Sequence, residues 1–139
     1  RVAADVTPTL DALRSAGYRL AVLSNRRQPC MDELEALGLG SYFDFALVAG
    51  EVSAWKPDPA IFRHALDRLG TAAAQTVYVG DNYYADILGA EKAGLQPVLI
   101  DPEGFFPEAE CPVIHTISDL CSLLLERQCC APIAAGVQQ

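Results

Sequence analysis

A strand, a turn and the first turn of a helix follow one another in TVYVGDNYYAD, residues 76–86. Residues 76–79 are a short β-prone run, and the helical pattern after the turn ends before Gly94, a residue typical of helix C-caps. Asp81 lies in the turn and Asp86 in the first helical turn, so both carboxylates can face one cation. Carboxylates are ligands that Mg²⁺ commonly uses in proteins. The stretch therefore predicts a metal site formed by Asp81 and Asp86.

Apolar, β-prone runs alternate with helical patterns along the rest of the chain. One helical pattern begins at Pro59, with Asp58 as the expected N-cap, and stops at Gly70. Strands are expected at residues 18–23, 46–48, 76–79 and 97–100, and a final helix at residues 117–125. This alternation predicts a parallel sheet with helices on both faces and with sites at the carboxyl ends of its strands.

Two further polar groups stand where phosphate chemistry would need them. Ser24 follows a strand-like run, so its hydroxyl and the next backbone N–H groups can hold an oxyanion, and Asn25 could orient it. Lys56 precedes Pro57, which favours an extended backbone, and its ammonium could offset phosphate charge. An ordinary turn and a surface lysine are the plainer explanations. The order of Ser24, Lys56 and Asp81 along the chain favours a phosphate site.

Together, these stretches resemble three of the four signature motifs of the haloacid dehalogenase superfamily of hydrolases, which are mostly Mg²⁺-dependent phosphatases. Ser24 matches the hydroxyl residue of the second motif, Lys56 the lysine of the third, and Asp81 with Asp86 the acidic pair of the fourth. The resemblance implies a Rossmann-like, three-layer α/β/α core with a mainly parallel sheet. It also implies that Lys56 and Ser24 are catalytic, that Ser24, Asn25 and Lys56 bind substrate, and that Asp81 and Asp86 hold Mg²⁺.

The first motif of that family, a strand ending in Asp-x-Asp-x-Thr whose first Asp is the nucleophile, has no clear match. Asp5 is the carboxylate near a strand-like segment upstream of Ser24, but Thr7 would then replace the family's second acid. Alternatively, residues 5–25 are the segment by which family members re-enter the core after a helical cap domain. We favour the second interpretation, in which the chain lacks the first central strand and the cap.

A missing central strand has a structural consequence. In the family, that strand lies between the strands that carry Ser24 and Asp81. Its absence would leave unpaired strand edges, which recruit other segments. We therefore expect the chain to close the gap itself, to form a homodimer, or to pair with a complementary fragment.

Composition narrows the class of protein. A chain of 139 residues that is 51% hydrophobic and 20% charged is long enough for one domain. We expect this domain at residues 1–127 and a disordered tail at residues 128–139. The net charge of −8 disfavours nucleic-acid binding. The five cysteines lack paired spacing, and we see no signal-peptide pattern or apolar run long enough for a membrane span. We therefore expect a cytoplasmic protein without a membrane partner.

The expected function is Mg²⁺-dependent hydrolysis of a small phosphate monoester, with the phosphorylated substrate or inorganic phosphate as partner, in a chain left incomplete by the missing nucleophile. The alternative is a non-catalytic fragment or oligomerising module that retains a phosphate and Mg²⁺ pocket. A carboxylate close to Ser24, Lys56 and Asp81, other than Asp86, would decide for catalysis. The acidic pair disfavours metal-free dehalogenation. A phosphoacceptor domain like those of response regulators would need an acceptor Asp at the end of a central strand, and none is evident in the sequence.

Overall fold

A computed structural model of the chain describes residues 2–125 and the backbone of residues 133–136. Strands were found at β1 (Leu20–Ser24), β2 (Ala46–Val48), β3 (Val77–Gly80), β4 (Gln96–Ile100), β5 (Val113–Ile114) and β6 (Ile133–Gly136). Within the described residues they form one sheet in the order β2-β1-β6-β3-β4-β5, and every neighbouring pair is parallel. The carboxyl ends of all six strands therefore lie at the same edge of the sheet.

Helices connect the strands. They are α1 (Val6–Ser15), α2 (Met31–Ala36), α3 (Ala49–Val52), α4 (Pro59–Leu69) and α5 (Gly89–Lys92), with π-helical segments at Tyr83–Leu88 and Cys121–Leu125 and 3₁₀ turns at Gly40–Tyr42 and Ala73–Gln75. The predicted ends of α4 are confirmed, because Asp58 Oδ1 accepts a hydrogen bond from Ala60 N at 2.9 Å and Gly70 has a φ of 71°. Among residues 2–125, no helix combines the length and apolar character that crossing a membrane requires.

Two apolar cores lie on opposite faces of the sheet, because successive strand residues point to opposite sides. Val22 and Val79 pack with Leu13 of α1 in one core. Leu23 and Tyr78 pack with Phe62 of α4 in the other. The resulting three-layer α/β/α arrangement confirms the expected Rossmann-like fold.

Strand β6 fills the centre of the sheet. It pairs with β1 from Leu20↔Ile133 to Leu23↔Gly136 and with β3 from Val77↔Ile133 to Val79↔Ala135. Of the three expected solutions to the missing strand, the structure shows the chain closing the gap itself. The homodimer and the complementary fragment stay predictions.

Residues 133–136 depart from the expectation of a disordered tail over residues 128–139, and the rest of that tail lies outside the described residues. The physical reason is that β1 and β3 both offer backbone N–H and C=O groups, which a strand between them satisfies. A tail without a periodic apolar face gives no sequence signal of such pairing. The short strand β5 and the late start of the Cys121–Leu125 segment also differ from the sequence-based prediction.

Candidate functional site

The predicted polar residues meet at the carboxyl edge of the sheet. Ser24 is the last residue of β1, and Asp81 directly follows β3. Lys56 lies in the loop between α3 and α4, and Asp86 in the π-helical segment after β3. Ser24, Lys56 and Asp86 are buried, whereas Asp81 is exposed. A buried cationic and anionic group beside an exposed carboxylate is an arrangement typical of functional sites rather than of a core.

Lys56 and Asp86 form a buried ion pair. Lys56 Nζ lies 2.6 Å from Asp86 Oδ1 and also donates to the hydroxyl of Tyr78 at 3.0 Å. The second carboxylate oxygen, Asp86 Oδ2, accepts the backbone N–H of Asn82 at 3.0 Å. Both oxygens of a carboxylate without solvent contact are thus satisfied, as a buried charge requires.

Tyr78 joins this ion pair to the neighbouring strand. Its hydroxyl lies 3.3 Å from the carbonyl oxygen of Leu23 in β1 and 3.4 Å from Asp86 Oδ1, and its single proton can serve one of them at a time. Burial and the negative charge of Asp86 raise the pKa of Tyr78 well above its ordinary value of 10.0. The phenol therefore stays neutral and remains a hydrogen-bond donor.

Gly80 makes room for the Asp86 carboxylate. A Cβ atom at position 80 would overlap Asp86 Oδ2 and the carboxyl carbon of Asp86. Only a residue without a side chain lets the carboxylate approach the end of β3 so closely. Asn82 fixes the following turn, because its Oδ1 accepts the N–H of Ala85 at 2.9 Å.

Asp81 is the carboxylate that faces solvent. Partial burial of its carboxyl group and the charge of Asp86 raise its pKa, while a backbone hydrogen bond and Lys56 act in the opposite direction. The net shift is upwards. Two neighbouring carboxylates disfavour each other's negative charge. A bound cation would offset this repulsion.

Asn25 connects the end of β1 to the loop that carries Lys56. Its Oδ1 accepts the backbone N–H of Lys56 at 2.7 Å, and its Nδ2 donates to the Lys56 carbonyl oxygen at 3.1 Å. Both ends of the amide thus hold the Lys56 backbone. Ser24 itself is buried at the end of β1.

Asp5 makes its hydrogen bonds with residues outside this cluster. Its Oδ2 accepts the backbone N–H of Ser118 at 3.1 Å, and its carbonyl oxygen accepts the Thr9 hydroxyl at 2.7 Å. In residues 2–125, Asp86 is the one acidic residue that forms an ion pair with Lys56, and no group of three His, Cys, Asp or Glu side chains is placed to hold a metal. Residues 133–139, which include β6, contain no Asp or Glu in their sequence. No carboxylate beyond the acidic pair joins the site in the described residues.

Tyr78 and Gly80 were missed as site residues by sequence reasoning. Tyr78 was assigned only to a strand, although a phenol inside a short aliphatic run signals a buried hydroxyl that needs a partner. For Gly80, the sequence predicts only a place in the turn before Asp81. Its role depends on the position of Asp86, which local sequence rules do not fix.

The chain is similar in sequence to known proteins. The sequence profile of the family described as haloacid dehalogenase-like hydrolase matches residues 1–100. The (S)-2-haloacid dehalogenase 4A of Burkholderia cepacia is 37% identical over 86% of this chain and 52% of its own length. The glyceraldehyde 3-phosphate phosphatase of Methanothermobacter thermautotrophicus is 39% identical over 71% of this chain and 44% of its own. The chain thus spans about half the length of these relatives.

A solved structure has a similar fold. The crystal structure of a HAD phosphatase from Thermococcus onnurineus superposes with a TM-score of 0.82 at 32% identity. The superposition covers 88% of this chain and 58% of that one. The fold and the sequence matches therefore agree.

Proposed function

Because the chain belongs to the haloacid dehalogenase-like hydrolase family, we propose that it forms the phosphate- and Mg²⁺-binding part of a phosphohydrolase acting on a small phosphate monoester. Its relatives include both phosphatases and dehalogenases, so the family alone does not choose between them. The acidic pair favours the phosphatase. The buried Lys56–Asp86 ion pair beside the exposed Asp81 is the observation that carries the proposal.

Each residue has a role that follows from its chemistry. The Ser24 hydroxyl, at the end of β1, would donate to a phosphoryl oxygen. Lys56 would offset the negative charge that gathers on the phosphoryl group during transfer. Asn25 would act as a positioning residue, because its amide holds the Lys56 backbone on both sides.

The donor set suits Mg²⁺. Mg²⁺ typically takes one or two carboxylates and completes its octahedron with water and substrate phosphate oxygens. Asp81 offers an exposed carboxylate whose pKa is raised by partial burial of the carboxyl group and by the charge of Asp86. Asp86 offers a second carboxylate, already oriented by Lys56 and Asn82. When bound, the ion would supply Lewis-acid neutralisation of phosphate charge.

A non-catalytic phosphate-binding module is the second candidate function. It is favoured by one observation, namely that Asp5 contacts Ser118 and no third carboxylate joins the cluster among the described residues. The two candidates share the same pocket and differ only in turnover. Both therefore predict that the chain binds phosphate with Mg²⁺.

Calorimetric titration of the full chain with inorganic phosphate, with and without Mg²⁺, tests the shared pocket. We expect phosphate to bind only when Mg²⁺ is present and Asp81→Asn to abolish that dependence. Asp67→Asn is the matched control, because Asp67 is an exposed carboxylate on α4 that no described contact joins to the site. Equal binding by wild type and Asp81→Asn would overturn the proposal.

Hydrolysis of an aryl phosphate by wild type and Asp5→Asn separates the two candidates. Mg²⁺-dependent turnover that Asp5→Asn abolishes would make Asp5 the nucleophile and the chain a complete phosphatase. Phosphate binding without turnover in either protein would show that this chain binds phosphate without supplying the nucleophile, as the non-catalytic module requires and as a part of a larger phosphohydrolase would also show.

A further inference from the structure

A cleft opens directly beside the proposed metal site. It has a volume of about 720 Å³ and shares Asp81 with that site. Its lining comprises Asp81, Asn82, Tyr83, Tyr84, Leu88 and Phe106. Half of these residues are aromatic, so a ligand whose phosphate lay near Asp81 would extend over phenyl and phenol rings.

Two of the rings form a stacked pair that connects separate segments. Tyr83 follows β3, whereas Phe106 belongs to the loop after β4. Their ring centroids are 5.7 Å apart, with an angle of 17° between the planes. Because β3 and β4 are adjacent and parallel, both segments leave the sheet at the edge that carries Asp81. The pair therefore forms an aromatic wall beside the site.

Asp101 holds the loop that carries Phe106. Asp101 is buried, and its two carboxylate oxygens accept the backbone N–H groups of Phe105 and Phe106, each at 3.0 Å. Burial alone would raise the pKa of Asp101, but these N–H groups and His115 outweigh it, so the pKa is lowered. The Asp101 carbonyl oxygen also lies 3.0 Å from His115 Nδ1. Phe106 is thus fixed before any ligand arrives, which lowers the entropy cost of binding.

We propose that the Tyr83–Phe106 wall is a subsite for the alcohol part of the substrate and that it favours phosphate esters of flat, apolar alcohols, such as aryl phosphates. The inference rests on the proposed function, because it requires the phosphoryl group to lie near Asp81. Phe106 is still 39% exposed although it is stacked on Tyr83, so part of its apolar surface is available to a ligand. A ligand ring that covers this surface gains hydrophobic and aromatic contact energy.

The neighbouring Phe105 provides a matched control. It is 74% exposed, it has the same side chain, and it belongs to the same Asp101-bound loop, but it does not line the cleft beside Asp81. Loss of a ring in general and loss of the wall can therefore be told apart by comparing Phe105→Ala with Phe106→Ala.

The test is an NMR titration of the full chain with phenyl phosphate and methyl phosphate in the presence of Mg²⁺. We expect phenyl phosphate to bind about tenfold more tightly than methyl phosphate. A factor of this size corresponds to the free energy of one aromatic contact together with the apolar area that it buries. Phe106→Ala should remove this preference, and Phe105→Ala should keep it. Equal binding of the two esters by wild type, or a preference that survives in Phe106→Ala, would overturn the subsite.

A titration with phenol separates failure of the subsite from failure of the phosphate pocket. If neither ester binds but phenol shifts the Tyr83 amide signal in wild type and not in Phe106→Ala, the wall binds aromatic rings, but the phosphate function fails and the assignment of the wall to a phosphate ester fails with it. If both esters bind equally and phenol shifts nothing, the phosphate function stands and the subsite fails. If no probe binds, both are wrong.

Discussion

Lys56 Nζ lies 2.6 Å from Asp86 Oδ1, so two side chains that were expected to serve phosphate and metal separately form one buried unit. The pair fixes the directions of both side chains. Because Asp86 is already bonded to Lys56 and Asn82, the exposed Asp81 is the carboxylate with most freedom to bind a cation directly. A cation bound at Asp81, as proposed above, would therefore change the charge balance around this buried pair.

Removing the lysine should leave an uncompensated buried carboxylate. We predict that Lys56→Met lowers the free energy of unfolding by about 3–5 kcal/mol, as measured by urea denaturation. Lys92→Met, at an exposed lysine in the last turn of α5, should change it by less than about 1 kcal/mol. Combining Lys56→Met with Asp86→Leu should recover much of the loss, because no buried charge remains unpaired. Similar losses in Lys56→Met and Lys92→Met would contradict the buried ion pair.

Adding one methyl group at the end of β3 should disturb the site. A Cβ at position 80 would overlap Asp86 Oδ2, so Gly80→Ala should displace that carboxylate and weaken Mg²⁺ binding, measured by calorimetry. Gly38→Ala is the control: it places a side chain at a φ of 78° in open space, which costs about 1–2 kcal/mol of stability by backbone strain alone. Gly38→Ala should leave Mg²⁺ binding unchanged. If Gly80→Ala bound Mg²⁺ like wild type, the close packing of Asp86 on β3 would be wrong.

Tyr78 should make stability depend on pH in the alkaline range. Its pKa is raised in the folded protein, so the folded state keeps this proton longer than the unfolded state does. Its contribution is fully present below the unfolded value of about 10 and is lost as pH rises above it, at up to about 1.4 kcal/mol per pH unit. Urea unfolding at several pH values above 9 should show this slope in wild type and a smaller one in Tyr78→Phe. Tyr84→Phe, at an exposed ring, should retain the wild-type slope, and an unchanged slope in Tyr78→Phe would refute the assignment.

Asp101 should control the order of the loop that carries Phe106. In Asp101→Asn, an NH₂ group replaces one of the two oxygens that accept backbone N–H groups, so one hydrogen bond is lost. We predict that amide hydrogen exchange at Phe105 and Phe106 becomes at least about tenfold faster, in line with loss of a charge-assisted hydrogen bond. Asp67→Asn should leave these exchange rates as they are. Equal protection in Asp101→Asn and wild type would mean that another contact orders the loop.

The sequence was informative where structure depends on neighbours along the chain. The N-cap at Asp58, the C-cap at Gly70 and the strand Ala46–Val48 all follow from local rules and were predicted. Ser24 and Asp81 were placed at strand ends because strands in parallel sheets put their sites there. These predictions required only the pattern of apolar, polar and turn-forming residues.

The features that were not predicted depend on contacts between distant segments. Tyr78 contacts Leu23 across 55 positions of sequence, and Asn25 binds the Lys56 backbone across 31. Strand β6 joins β1 and β3 through backbone hydrogen bonds, which leave little trace in its sequence of Ile, Ala, Ala and Gly. Short, small-residue strands of low β propensity become recognisable only when their partners are known.

The most direct test of the phosphate and Mg²⁺ site is paramagnetic line broadening by Mn²⁺, used in place of Mg²⁺, in amide NMR spectra of the full chain. The account predicts that the amide signals of Asn25, Lys56, Asp81 and Asn82 broaden first, that inorganic phosphate strengthens the effect, and that Asp81→Asn removes it. Broadening centred instead on the acidic first turn of α2, which carries Asp32 and Glu33, with no change in Asp81→Asn, would contradict it.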